Sequence, residues 1–359
     1  MSMVEHYGGI IERYRDYLPL RRQARVISLH EGNTPLLRLD TVAAQLDRDV
    51  QLYAKFEGLN PTGSFKDRGM TVAITQAVDE GSRAVICAST GNTSASAAAY
   101  AARAGIRCFV IIPEGKIALG KLAQAMMHGA VVIQIAGNFD DGMRLVKQVA
   151  EQTSLTIVNS INPFRLQGQK TVSFEISDTL GHAPNYHCLP VGNAGNISAH
   201  WMGYSEYLEK GLIGAPPVMC GYQAAGAAPF VLGHKVEQPE TVATAIRIGN
   251  PQSWDKAWDA QRRSEGWFAK FRDEEILQAQ GLLAQHEGIF CEPASAVALA
   301  GAMRDITAGT IPAGSCVVCT LTGHGLKDPD IAIKQSQSPM IKIKAELDAV
   351  KNAILEHLA

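Results

Sequence analysis

Lys66 ends a turn of small residues in the run Asn60-Pro61-Thr62-Gly63-Ser64-Phe65-Lys66-Asp67-Arg68-Gly69. An apolar strand-like run precedes the turn and a helical stretch follows it. A lysine amine in water has a pKa of about 10.4. Beside Phe65 and against an apolar strand, the Lys66 amine loses solvent, which disfavours its charged form. A neutral amine can form a Schiff base with a carbonyl. Taken alone, the segment also fits an ordinary loop with a solvated lysine at a helix start.

Four more loops follow strand-like runs, where open α/β sheets bind ligands. Ser89-Thr90-Gly91-Asn92-Thr93-Ser94-Ala95-Ser96 opens a helix of small residues. Unpaired N–H groups at a helix start hold a carboxylate well, although N-capping by Asn92 or Thr93 explains the same residues. Val191-Gly192-Asn193-Ala194-Gly195-Asn196-Ile197 also joins strand to helix. Its glycines let the backbone approach an anion closely. It lacks a P-loop lysine and a dinucleotide fingerprint, which favours a phosphate carried without a nucleotide. Leu321-Thr322-Gly323-His324-Gly325 offers a neutral hydroxyl at Thr322, or simply a turn. Asn159-Ser160-Ile161-Asn162-Pro163-Phe164-Arg165 offers a bidentate guanidinium for a second anion, or simply a surface connection.

An amine nucleophile, a phosphate cup, a carboxylate cup, a hydroxyl for a ring nitrogen and a spare anion site form a coherent set. It suits a pyridoxal phosphate enzyme acting on an amino acid with a second anionic group. The cofactor is the electron sink, and the protein orients and tunes it.

The chain resembles the threonine synthases, in their short bacterial form, among the fold-type II pyridoxal phosphate enzymes. The resemblance rests on His30-Glu31-Gly32-Asn33-Thr34-Pro35-Leu36, the Lys66, Asn92, Asn193 and Thr322 loops, and the segment from Pro239 to Pro251. It implies two doubly wound α/β lobes, like the tryptophan synthase β chain, with the cofactor in the cleft between them. It implies that Lys66 is the catalytic Schiff-base lysine. Phe65, Asn92, Gly192, Asn193, Ala194, Gly195, Asn196 and Thr322 would complete the cofactor site, Asn92 at the phenolic oxygen and Thr322 at the pyridine nitrogen. Ser89, Thr90, Asn92 and Thr93 would surround the substrate carboxylate. Lys121, Asn159, Ser160, Arg165 and Asn193 would face the substrate phosphate. The implied reaction eliminates phosphate from Cγ of O-phospho-L-homoserine and adds water at Cβ, giving L-threonine. A homodimer is implied as well. Two rivals stay open: a threonine or serine dehydratase-type lyase, and a catalytically silent binding module, against which the intact Lys66 argues. Glu292, in Cys291-Glu-Pro-Ala-Ser295, belongs to a motif of the family that the chain resembles; its role is left open by the sequence, and a helix-start residue is the favoured explanation.

The elements that must hold these loops alternate. Strands are expected at 52–56, 84–89, 108–112, 131–135 and 155–158, with helices from 66, 93, 119 and 140 between them. A second series has strands at 187–191, 218–222 and 316–321. Its helices lie near 197, 273–286 and 295–308. Such alternation implies parallel βαβ units. Residues 50–158 are expected to form a smaller, mobile domain, and 1–49 with 159–359 a larger one. The end, 345–358, reads as an amphipathic helix with Leu347, Val350, Ile354 and Leu358 on one face.

The bulk properties narrow the class. The chain has 359 residues, 46% of them hydrophobic, and a net charge of -2. That is ample for a large core, and no block of like charge favours nucleic acid or an anionic membrane. No apolar run suits a signal peptide or a membrane span, so the expected compartment is the cytoplasm. The seven cysteines are scattered. Cys316 and Cys319, three apart in a strand-like run, would point to opposite faces and read as core. No histidine spacing suggests a metal.

Overall fold

Short runs of apolar residues between helices build two parallel sheets. The computed structural model describes residues 7–114, 119–137, 139–153, 155–335 and 340–357. The strands are β1 (Leu36–Arg38), β2 (Gln51–Phe56), β3 (Ala84–Ala88), β4 (Arg107–Pro113), β5 (Val131–Ile135), β6 (Thr156–Ile157), β7 (Tyr186–Pro190), β8 (Val218–Ala224), β9 (Trp267–Phe271) and β10 (Cys316–Leu321). A six-stranded sheet has the order β1-β2-β10-β7-β8-β9, and a four-stranded sheet the order β5-β4-β3-β6. Every pairing is parallel except β1 with β2.

Both sheets are covered on both faces. In the large sheet, Cys188 and Cys220 face a core with Val297 and Ala298 of the helix Pro293–Thr307. The alternate residues Leu189 and Met219 face Ile197 and Tyr204 of the helix Gly195–Glu209. In the small sheet, Val85, Cys87 and Val110 pack on Met70, Ala97 and Tyr100. Ile86, Ala88 and Ile111 pack on Met143 and Val146. Burial on both faces is why these strands read as apolar runs. All seven cysteines are buried and free, Cys316 and Cys319 among them.

Several elements differ from the sequence expectation. Gln51–Phe56, placed above at the start of the smaller domain, hydrogen-bonds along its length to β10 in the large sheet. The four-stranded layer therefore starts after it. Strand β9 and the antiparallel edge β1 were not expected, nor were the helices Pro163–Gln169, Thr171–Leu180 and Trp254–Arg263. The chain divides into a unit of Met1–Asp328, which holds all ten strands, and a unit of Pro329–Ala359. The second unit contains the helix Leu347–Glu356, with Leu347, Val350 and Ile354 exposed. Leu358 lies outside the described residues.

Candidate active site

Two helices that touch backbone to backbone position the chemistry. Lys66 opens the helix Lys66–Asp79, and Arg165 lies in the helix Pro163–Gln169. A Cβ at Gly69 would lie 2.7 Å from the Arg165 carbonyl oxygen, and one at Gly168 would overlap the Arg68 carbonyl. Glycine at both positions is what lets the helices approach.

Two loops are stitched to the Lys66 turn in series. The Phe65 N–H donates to the Thr322 carbonyl at 3.0 Å, and the His324 N–H to the Gly63 carbonyl at 2.9 Å. The Glu292 N–H donates to the Gly323 carbonyl at 3.0 Å. The Thr322 hydroxyl is buried and shares a 2.9 Å hydrogen bond with the Ser295 hydroxyl. Lys66, Thr322 and Glu292 are thereby held in one small region.

The Lys66 amine lies 3.9 Å from the centre of the Phe65 ring. Lys66 keeps some exposure along its length, but protein crowds the amine. Burial pushes the amine down, the Arg165 guanidinium adds to that, and Glu292 opposes both; it settles at about 7. Such an amine supplies both neutral and charged forms near neutral pH.

Arg165 is 1% exposed. One of its terminal nitrogens donates to the Val158 carbonyl at 3.2 Å, and its Nε has no partner. Among the described residues it has no acidic partner, and burial lowers its guanidinium to about 10. A buried guanidinium without a carboxylate is costly unless an anion arrives.

The helix Asn92–Ala104 starts with Gly91 at its N-cap and no side-chain cap, so neither Asn92 nor Thr93 caps it. The Asn92 amide instead donates to both Glu292 carboxylate oxygens at 3.2 Å, and its own carbonyl oxygen is buried without a partner. Ser89, Thr90 and Thr93 line the helix start and keep partial exposure.

The loop after β7 has its sharpest turn at Ala194, with φ 62 and ψ 8. No side chain caps the following helix, so its first N–H groups are open to an anion. Asn196 pins the loop by donating to the Pro190 carbonyl at 2.6 Å. Asn193 accepts from the Gln252 N–H at 3.1 Å and donates to the Ser160 hydroxyl at 3.4 Å. Leu166 packs beneath Gly195, so the Arg165 helix lies against this cup. Both ends of the Asn159 amide bond the Ala88 backbone at 2.9 Å, fastening the end of β3. The Lys121 side chain lies outside the described residues. Two shallow surface depressions, beside Pro312–Ser315 and beside Arg38–Val50, contain none of these groups.

The orphaned Arg165 Nε, the orphaned Asn92 oxygen, the desolvated Lys66 amine and the open helix start fit an anionic, carbonyl-bearing ligand. Residues 27–323 match the family described as pyridoxal-phosphate dependent enzyme. The chain belongs to that family. It is 56% identical over 349 residues to a threonine synthase of Synechocystis, covering 97% of this chain and 91% of the relative. It is 59% identical over 333 residues to a threonine synthase of Mycobacterium tuberculosis, covering 92% of each. In fold it is similar to maize serine racemase, with a TM-score of 0.73 at 21% identity and 98% of each chain covered. It is likewise similar to a Solanum lycopersicum threonine deaminase, with a TM-score of 0.72 at 20% identity, covering 84% of this chain and 82% of that one. At such identity the fold alone is shared.

Sequence reasoning missed two groups. Glu292 turns to Asn92 instead of capping its helix. Arg68, fully buried, pairs with Glu57 and Glu175 and braces the segment just after Lys66. Asn92 lies 200 residues from Glu292 and Glu175 lies 107 from Arg68, and no local signal marks these pairings.

Proposed function

We propose that the protein is a threonine synthase, converting O-phospho-L-homoserine and water into L-threonine and phosphate. It is a pyridoxal phosphate-dependent lyase of the carbon–oxygen class. The observation that carries the choice of substrate is Arg165, a buried cation that has no acidic partner among the described residues and whose charge reaches Lys66. A dehydratase acting on an unphosphorylated amino acid needs no such second anion site.

Lys66 would hold the cofactor, with Phe65, Asn92 and Thr322 around it and Gly192, Asn193, Ala194, Gly195 and Asn196 at its phosphate. When bound, pyridoxal phosphate supplies a sink for the electrons released at the substrate's Cα. Lys66, with an amine near 7, takes the Cα proton as general base and returns protons later. Ser89, Thr90, Asn92 and Thr93 orient the substrate carboxylate. Arg165, with Lys121, Asn159, Ser160 and Asn193 nearby in the proposed set, stabilises charge on the departing phosphate. The Asn159 amide is committed to Ala88, so its part would be to hold the loop in shape. The hydroxyl of Thr322 is neutral and moderates the sink.

Of the expected smaller domain, 50–158, the part beyond residue 56 would close to exclude water until hydration is due. The pairing of 51–56 in the large sheet supports placing the moving part beyond those residues. A homodimer in the cytoplasm belongs to the same reading; seven reduced, buried cysteines suit a reducing compartment. No helix among the described residues is long and apolar enough to cross a membrane.

The test is an assay of cofactor-loaded protein with O-phospho-L-homoserine, following phosphate and threonine together. Equal release of both is expected. Phosphate with a keto acid would leave elimination right and hydration wrong. Turnover of unphosphorylated threonine in preference would transfer the case to the dehydratase.

A further inference from the structure

Glu292 has a local excuse that its geometry does not use. It stands at the N-cap of the helix Pro293–Thr307, yet its side chain makes no cap hydrogen bond. It is fully buried, and both its oxygens accept from the Asn92 amide nitrogen. A carboxylate only accepts, so it dictates which end of the Asn92 amide faces it. The amide oxygen, orphaned and buried, is the end left for another partner.

The neighbouring residues keep the carboxylate in place. A Cβ at position 323 would lie 2.5 Å from Glu292 Oε1. Glycine there leaves room for the carboxylate directly beside Thr322. The charged groups acting on Lys66 are Arg165, from the helix Pro163–Gln169, and Glu292. The adjacent acid Asp67 is turned to Thr62 and Ser96 at 2.6 Å each. Arg68 is turned to Glu57 and Glu175. On the other side, the Cys291 thiol is pushed up by burial and by Glu292. His324, bridged to Cys291, is pushed down by burial and by Lys327.

We infer that Glu292 is a positioning residue: its carboxylate fixes the orientation of the Asn92 amide and sets negative charge on the loop that is hydrogen-bonded to the Lys66 turn. It does so on the loop stitched to Gly323, which ties the carboxylate's place to that of Thr322. The inference rests on the pyridoxal phosphate reading and is independent of which amino acid is the substrate.

The test compares Glu292→Gln with Glu292→Asp and reads the resting holoenzyme without substrate. The pH midpoint of its visible absorption change reports protonation of the nitrogen at Lys66. Glu292→Gln removes the charge at equal size, and the midpoint is expected to fall by about one unit, a tenfold loss of proton affinity. Glu292→Asp keeps the charge and should stay near wild type. In the apoprotein, the midpoint for labelling Lys66 with an amine reagent should fall in parallel. A midpoint equal to wild type in Glu292→Gln, or the same shift in both variants, would overturn the inference. Should Glu292→Gln fail to fold, Gly323→Ala displaces the same carboxylate and must lower the midpoint; no change there would be equally fatal. None of these readouts depends on threonine formation, so failure here is distinguishable from failure of the assigned activity.

Discussion

Two arginines are buried side by side on helices in contact, and they are treated in opposite ways. Arg68 has its guanidinium enclosed by Glu57 and Glu175 at 2.7 and 2.8 Å. Thr34 and Thr171 complete its bonds at 3.2 Å. Arg165 is as deeply buried, yet has one backbone carbonyl and an idle Nε. Burial lowers both; for Arg68 the two glutamates outweigh it and hold the group well above its usual value, while Arg165 is left at about 10. A cation satisfied from within belongs to the scaffold. A cation left wanting is suited to a ligand's charge.

The largest effect expected from this contrast is on stability. Arg68→Met strands Glu57 and Glu175 without their main counter-charge, although Lys55 still reaches Glu175 at 2.8 Å. Burial alone would raise the Glu175 carboxyl; Arg68 and then Lys55 outweigh it and hold it far below the usual range. Breaking such a cluster costs about 3–5 kcal/mol, to be read from denaturant unfolding of the apoprotein. Arg165→Met removes an unpaired buried cation and should cost no more than about 1 kcal/mol, or stabilise. Equal losses in the two variants would end the distinction.

The next effect is kinetic. Arg165→Met should raise KM for the phosphorylated substrate roughly 100-fold, the scale of lost charge-assisted hydrogen bonds. Cofactor affinity should change only a few-fold. Steady-state kinetics beside cofactor titration checks both, and an unchanged KM would move the second anion site elsewhere. Inorganic phosphate gives a gentler form of the same test. At 100 times its dissociation constant, an anion bound only to the folded state adds about 2.7 kcal/mol. The apoprotein's thermal midpoint should therefore rise with phosphate, and the part due to Arg165 should vanish in Arg165→Met.

The same contrast explains what the sequence could reveal. Parallel strands buried on both faces announce themselves, and β2, β3, β4, β7, β8 and β10 lie within a residue or two of expectation, as does β5, an edge strand whose residues are mostly apolar but largely exposed. Strand β9, Trp267-Phe-Ala-Lys-Phe271, is an edge with mostly half-buried residues, so its apolar run is broken. β1 is three residues long and ends in an exposed Arg38. The helices from 163 to 180 carry polar side chains because they face the site and the buried charges. Loops at strand ends were legible because glycine, asparagine and threonine there have few other reasons to gather. Arg165 could be nominated from its loop. Arg68 and Glu292 could not, since Glu175 lies 107 residues from Arg68 and Asn92 lies 200 residues from Glu292.

The smallest effect separates the arginines at Lys66 itself. Among the charges acting on that amine, Arg165 pushes it down and Glu292 pushes it up, after burial has done most of the lowering to about 7. The amine of the folded apoprotein is thus a weaker base than in the unfolded chain, which holds more protons between about 7 and 10.5. Stability from this group is accordingly least below that window and rises with pH through it. Arg165→Met should move the midpoint for amine labelling of Lys66 upward by less than about one unit. Arg68→Met, if folded, should leave that midpoint in place, because its charge is spent on Glu57 and Glu175. A shift from Arg68 as large as that from Arg165 would mean that its charge is not contained by the two glutamates.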